Sequence, residues 1–176
     1  MTHENAVRRT GRHEEIIGAS IKSLVPLACP VEEYKWIDGW DFEMVYSECG
    51  AMEKYCIFSE RLTGAFLFAD PGLETTWIVC DHDSGSSVLR AVLVVGDRAA
   101  GMFEVDGHDQ DDASAKVVWN YTLTGRSKEG NQALAALEPG RIDAMLGVLG
   151  KSFKHYGETG EKLPAADALE QALASQ

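Results

Sequence analysis

Basic residues are scarce in this chain. Sixteen Lys and Arg stand against 28 Asp and Glu in 176 residues, a formal charge of −12. A nucleic-acid partner needs clustered cations to displace counterions, and an anionic membrane surface attracts the same clusters, so both partner classes are excluded. A surplus of negative charge serves solubility. Long apolar runs are missing as well. None approaches the ~20 residues of a membrane-spanning helix, so no membrane insertion is expected. The opening stretch MTHENAVRRTGRHEE holds no apolar core of a secretory signal. Cysteine is confined to Cys29, Cys49, Cys56 and Cys80, with no C-x-x-C pair. That usage points to reduced thiols in a cytoplasmic protein rather than a disulfide framework or a zinc site. Asn120-Tyr121-Thr122 matches a glycosylation sequon but reads as strand.

Signatures of common chemistry are lacking too. Gly96 and Gly101 have the glycine spacing of a phosphate loop, but Met102-Phe103 stands where Lys and Ser or Thr are required. His13-Glu14 has no second histidine four residues after the first, and there is no G-x-S-x-G nucleophile elbow. His82 between Asp81 and Asp83 has the composition of a general base with its orienting carboxylate. Neighbours on a strand face opposite sides, however, so Asp81 and His82 cannot serve one pocket. The acidic loop GHDQDDASA lacks the ligand spacing of a calcium loop and reads as a solvated hairpin tip. No cofactor and no metal are expected.

What is present is a core and two periodicities. Hydrophobic residues make up 45% of the chain, enough for one domain. Residues 1–11 are polar and read as a flexible N-terminus. Branched Ile16, Ile17 and Ile21 favour a first strand, and Pro26 and Pro30 start two short helices. Trp40, Phe42, Met44 and Tyr46 then alternate with polar neighbours, the period of a half-buried strand. Further strands are expected over residues 54–59, in TTWIVCDHD, over residues 88–95 and 101–106, and in KVVWNYTLT, with an excursion or short hairpin over residues 60–73. After residue 130 the spacing changes. Ile142, Met145, Leu146, Leu149, Phe153 and Tyr156 recur every three or four residues, predicting a long helix with one broad apolar face. Gly147 and Gly150 inside it each cost about 1 kcal/mol relative to Ala and leave room for a neighbour or a ligand. The tail, residues 161–176, restarts as a thinly amphipathic segment after Pro164.

This order, with PVEEYKWIDGWDFEMVYSECG, the strand ETTWIV, Glu129-Gly130-Asn131 after a strand, and His155-Tyr156 before GETG, resembles the SRPBCC superfamily over residues 12–162. That group holds START-related, birch-pollen-allergen-like and polyketide-cyclase-like domains. The resemblance implies an α+β helix-grip fold: a curved antiparallel sheet of six or seven strands around a long C-terminal helix, with two short helices after the first strand. The domain would span residues 12–160. The resemblance also implies a cavity between sheet and helix for a small hydrophobic or aromatic ligand, lined by Phe42, Met44, Tyr46, Trp77, Val79, Trp119, Tyr121, Met145, Leu149 and Phe153. Trp36 and Trp40 would fill a corner between the short helices and the second strand.

One polar contact is expected inside. If SGSS closes a hairpin with Asp83 opposite Val88, antiparallel pairing sets Asp81 opposite Arg90, on the face of Trp77 and Val79. The two would neutralise each other, or hold the polar end of a ligand, or polarise a carbonyl. A cross-strand pair on the solvent face is the alternative, and a one-residue slip would produce it. A carrier or sensor, monomer or homodimer, is preferred to a cyclase, dehydratase or hydrolase using the same cavity. A third reading is a closed protein-interaction module, its interior filled by Trp77 and Trp119.

Overall fold

A computed structural model describes residues 6–83 and 88–174. Seven strands form one antiparallel sheet in the order β1-β7-β6-β5-β4-β3-β2. β1 (Arg8–Ile17) leads into two short helices, α1 (Ile21–Leu24) and α2 (Pro30–Glu33), joined by a 3-10 turn. β2 (Phe42–Tyr46) and β3 (Ile57–Glu60) follow, then a helix, α3 (Leu62–Phe68), where the sequence suggested an excursion or short hairpin. The meander runs on through β4 (Thr75–Asp83), β5 (Val88–Val95), β6 (Ala99–Asp109) and β7 (Ala115–Gly125). Three helices close the chain: α4 (Lys128–Ala136), α5 (Arg141–Thr159) and α6 (Ala165–Ala174). This is the helix-grip arrangement implied by the sequence. None of the helices is long and apolar enough to cross a membrane among the described residues.

The strands form where side chains alternate between core and solvent. β7 is the clearest case: Ala115, Val117, Trp119, Tyr121 and Leu123 are buried, while the residues between them are partly exposed. β5, nearly all apolar in sequence, alternates in the same way. β1 begins at Arg8, paired with Thr124, so residues 8–11 belong to the sheet rather than to a loose N-terminus. Residues 1–5 and the SGSS turn lie outside the described residues.

α5 lies against β1 and across the inner face of the sheet. Its glycines make that approach possible. A Cβ on Gly150 would meet the His13 ring at 2.5 Å, and one on Gly147 would meet the Cβ of Ala172 in α6 at 3.3 Å. The room they leave is therefore taken by neighbours. Under α5, buried Glu15 receives His13 Nε2 at 2.9 Å and Lys151 Nζ at 2.7 Å. Burial alone would raise the carboxyl pKa of Glu15, but these two partners outweigh it and hold the pKa below its ordinary value. Gly160, at φ +73°, ends α5 as a left-handed cap, its N–H donating to the carbonyl of Tyr156.

The tail folds back. α6 packs on α5, and Ala165 N at its start donates to Asp38 Oδ2 at 3.1 Å. Lys162 Nζ donates to the carbonyl of Ile37 at 3.3 Å. The segment between α2 and β2 is thereby tied to the C-terminal helix.

Candidate functional site

Between the inner face of the sheet and α5 lies a cavity of about 380 Å³. Its exposed lining residues, Asp38, Leu62, Ala165, Ala166 and Leu169, mark a mouth framed by α3, the Asp38 segment and α6. Its buried lining residues mark the floor: Phe58, Glu60, Thr63, Trp77, Val79, Leu89, Ala91 and Tyr121. Aromatic rings build one wall. Trp77 stacks on Phe58 at 5.7 Å and meets Phe103 edge-on at 5.4 Å, and Phe103 contacts Tyr121 at 5.8 Å. Such offset and edge contacts hold the rings in fixed orientations.

Of the ten residues expected to line the cavity, Trp77, Val79, Tyr121, Met145 and Leu149 do so. The other five do not. Phe42 stands one ring behind, against Trp40 and edge-on to Phe58. Met44 is half-buried against the core away from the cavity. Tyr46 is exposed, with its hydroxyl 3.4 Å from Glu48. Trp119 is buried between His13 and Phe153, and Phe153 packs edge-on against Trp36 at 5.0 Å. These large rings plug one part of the space under α5 and leave the other part open. The filling expected of a closed module is thus met at Trp119 but not at Trp77. Trp36 is core, its Nε1 donating to the carbonyl of Leu27, whereas Trp40 lines the cavity with its Nε1 donating to the carbonyl of Pro30.

Asp81 and Arg90 require a correction. Asp83 pairs with Val88 and Asp81 with Arg90, the register expected. Between Val79 and Asp81, however, the ladder shifts: Val79 pairs with Ala91, so Cys80 is an extra residue on β4. A bulge of one residue reverses the facing of everything beyond it. Asp81 and Arg90 therefore lie on the outer face, where Arg90 also meets Glu104 at 3.2 Å and Asp106 at 3.6 Å. These side chains are between a third and a half exposed, which makes them a surface network of small energetic weight. His82 turns inward instead, beside Leu24, Leu89 and Phe153 at a separate void of only about 30 Å³.

Of the polar groups that do reach the cavity, only Tyr121 was singled out in the sequence. Glu60 is buried at the floor, where its Oε1 accepts from Trp77 Nε1 at 3.1 Å and its Oε2 from Thr63 N at 2.9 Å. Tyr121 is 2% exposed, and its hydroxyl has no hydrogen-bond partner. Burial first, then the charge of Glu60, pushes the Tyr121 pKa far above its usual value, so it stays a neutral phenol. The nearby Thr63 side chain only slightly offsets this. Glu33, at the end of α2, is half-buried and lines the cavity. Burial, reinforced by the Glu60 carboxylate, raises its pKa well above 4.5. One signal for Glu60 existed in the sequence: alternation places it on the same side of β3 as Phe58. Among the described residues no group of His, Cys, Asp and Glu is arranged to hold a metal ion.

No family model matches the sequence, and no curated protein matches it. Solved structures do share the fold. Norcoclaurine synthase from Thalictrum flavum, in complex with dopamine and hydroxybenzaldehyde, aligns with a TM-score of 0.58 at 12% identity, covering 85% of this chain and 86% of that one. Zhui aromatase/cyclase from Streptomyces gives 0.57 at 12% identity, covering 89% of this chain and 100% of the other. Ara h 8.0201 gives 0.55 at 10% identity over 96% and 99%. At these identities the likeness is one of fold: the chain is a helix-grip domain.

Proposed function

We propose that the protein binds a small hydrophobic or amphipathic molecule in the cavity between the sheet and α5, as a carrier or sensor. The observation that carries this reading is the cavity itself. Its volume of about 380 Å³ lies within the ~300–1,000 Å³ of small-molecule sites. It combines apolar walls with a few polar groups, the usual composition of such sites. The edge-stacked wall of Trp77, Phe58 and Phe103 offers flat apolar surface to a ring. The Thalictrum synthase, with dopamine and hydroxybenzaldehyde, supports the reading by analogy of fold alone.

A second reading is an enzyme working in the same cavity. Asp81 and Arg90 lie on the outer face and Tyr46 is exposed, so the chemistry would fall to Glu33, Glu60 and Tyr121. A carboxyl whose pKa burial has raised is suited to general-acid work. The carrier reading is preferred because both oxygens of Glu60 are already engaged in holding Trp77 and the start of α3.

Native mass spectrometry of protein purified from its own host's lysate, compared with the denatured protein, tests the proposal. A discrete mass that disappears on denaturation supports a bound molecule. A bare protein mass in every preparation counts against it.

A further inference from the structure

The polar lining of the cavity has one sign. Glu33, Asp38 and Glu60 contribute carboxyl groups, and no Lys, Arg or His is among the described lining residues. Lys35 and Lys162, on the adjoining segments, are engaged elsewhere, with Glu32 and with the carbonyl of Ile37. Asp38 sits at the mouth and caps α6. Glu33 and Glu60 face the interior. A carboxylate taken out of water needs an opposite charge or a full set of hydrogen bonds. Each Glu60 oxygen accepts one bond and has room for a second. Tyr121 lines the same space, and its buried hydroxyl makes no hydrogen bond. Three acceptor groups thus meet in an apolar cavity that holds no cation of its own.

We propose that the ligand is an amphipathic amine, a protonated ammonium on an aromatic or apolar body, with the ammonium held by Glu33, Glu60 and the Tyr121 hydroxyl. The inference rests on the ligand-cavity reading and narrows it to one chemical class. An ammonium carries three N–H donors and accepts nothing, which complements three acceptors. The adjacent faces of Trp77 and Phe58 add cation–π attraction and cover the apolar body. A carboxylate or phosphate ligand would meet the like charge of Glu60. A neutral ligand would leave the Glu60 charge uncompensated. In the free protein burial and the Glu60 charge both favour the protonated form of Glu33. An arriving ammonium reverses that balance, so binding releases a proton.

Calorimetric titration of the full chain with three isosteres at neutral pH tests this: 2-naphthylmethylamine, 2-naphthalenemethanol and 2-naphthoic acid. The amine is expected to bind about ten- to hundredfold more tightly than the alcohol, the range of one charge-assisted hydrogen-bond set, and the acid most weakly. The apparent heat of amine binding is expected to differ between buffers of unlike ionisation enthalpy, reporting the released proton. Glu33→Gln should bring amine and alcohol to similar affinity. Tyr121→Phe, which removes only the hydroxyl oxygen, should narrow the gap and provides a second variant. An alcohol that binds as well as the amine would overturn the amine assignment and leave the cavity reading standing. A preference unchanged in both variants would overturn it as well. If none of the three binds, both readings fall.

Discussion

Glu60 on β3 and Trp77 on β4 are diagonal neighbours, joined by a 3.1 Å hydrogen bond from the indole nitrogen to the carboxylate. Both are buried, and Glu60 also receives the backbone N–H of Thr63. One carboxylate therefore fixes the largest ring of the cavity wall and the first turn of α3. Replacing Glu60 with Leu would strand two buried donors. Each costs about 1–3 kcal/mol, so Glu60→Leu should lose about 2–6 kcal/mol in urea denaturation. Glu60→Gln retains an acceptor oxygen and should lose roughly half as much.

Glu33 contributes in the opposite sense. Its folded pKa is raised, while the unfolded carboxyl titrates near 4.5. Above that pH the folded state binds more protons than the unfolded one, so stability falls as pH rises from 4.5 towards the folded value. Glu33→Gln should therefore be more stable than the wild type at neutral pH. The gain should vanish below pH 4.5, where both forms are neutral. Chemical denaturation of the two proteins across that window measures it.

Glu15 behaves conversely. Burial disfavours its charge, but His13 and Lys151 more than compensate, and its folded pKa lies below 4.5. Its contribution is present above that pH and is lost as the pH falls through the folded value. Glu15→Gln should flatten the acid limb of the stability profile and lower stability at neutral pH. It leaves Lys151 of α5 without its carboxylate. Thermal melts from neutral to acid pH report both effects.

The glycines of α5 differ in what surrounds them. Gly150→Ala would press on the His13 ring and the Glu15 side chain, whereas Gly147→Ala meets one methyl group at 3.3 Å. Overpacking of this kind costs about 1–3 kcal/mol. Ala also gains about 1 kcal/mol in helix propensity. Gly150→Ala should therefore lower Tm, and Gly147→Ala should leave it within a few degrees of wild type.

The architecture was legible because its signals are periodic. Two-residue alternation in β4 and β7 and the three- to four-residue spacing of α5 survive in any context that buries one face. Pro26, Pro30 and Pro164 marked helix starts, and Gly160 marked a stop. The pairing of Asp81 with Arg90 was also readable. The face they occupy was not, because the bulge at Cys80 lies in Val79-Cys80-Asp81, which contains no glycine or proline to announce it. α3 was hidden by Gly64, Pro71 and Gly72, which suggested turns, although Leu62 to Phe68 is mostly apolar. The cavity lining was half legible. Alternation finds the inward face, but it cannot tell that Phe58 and Trp40 stand between Phe42 and the cavity, or that Trp119 and Phe153 fill one another's space. The acids at the floor were hardest to see, since carboxylates are ordinarily exposed.

The most direct test of the account is a fluorescence titration of the full chain with N-phenyl-1-naphthylamine, a neutral apolar fluorophore, repeated on Leu149→Trp. Leu149 lines the cavity from α5, and a larger ring there fills it from the helix side. The account predicts saturable one-site binding to the wild-type chain and its loss in Leu149→Trp, with the variant's far-ultraviolet circular dichroism unchanged. No saturable binding to the wild type, or equal binding to a folded Leu149→Trp, would contradict it.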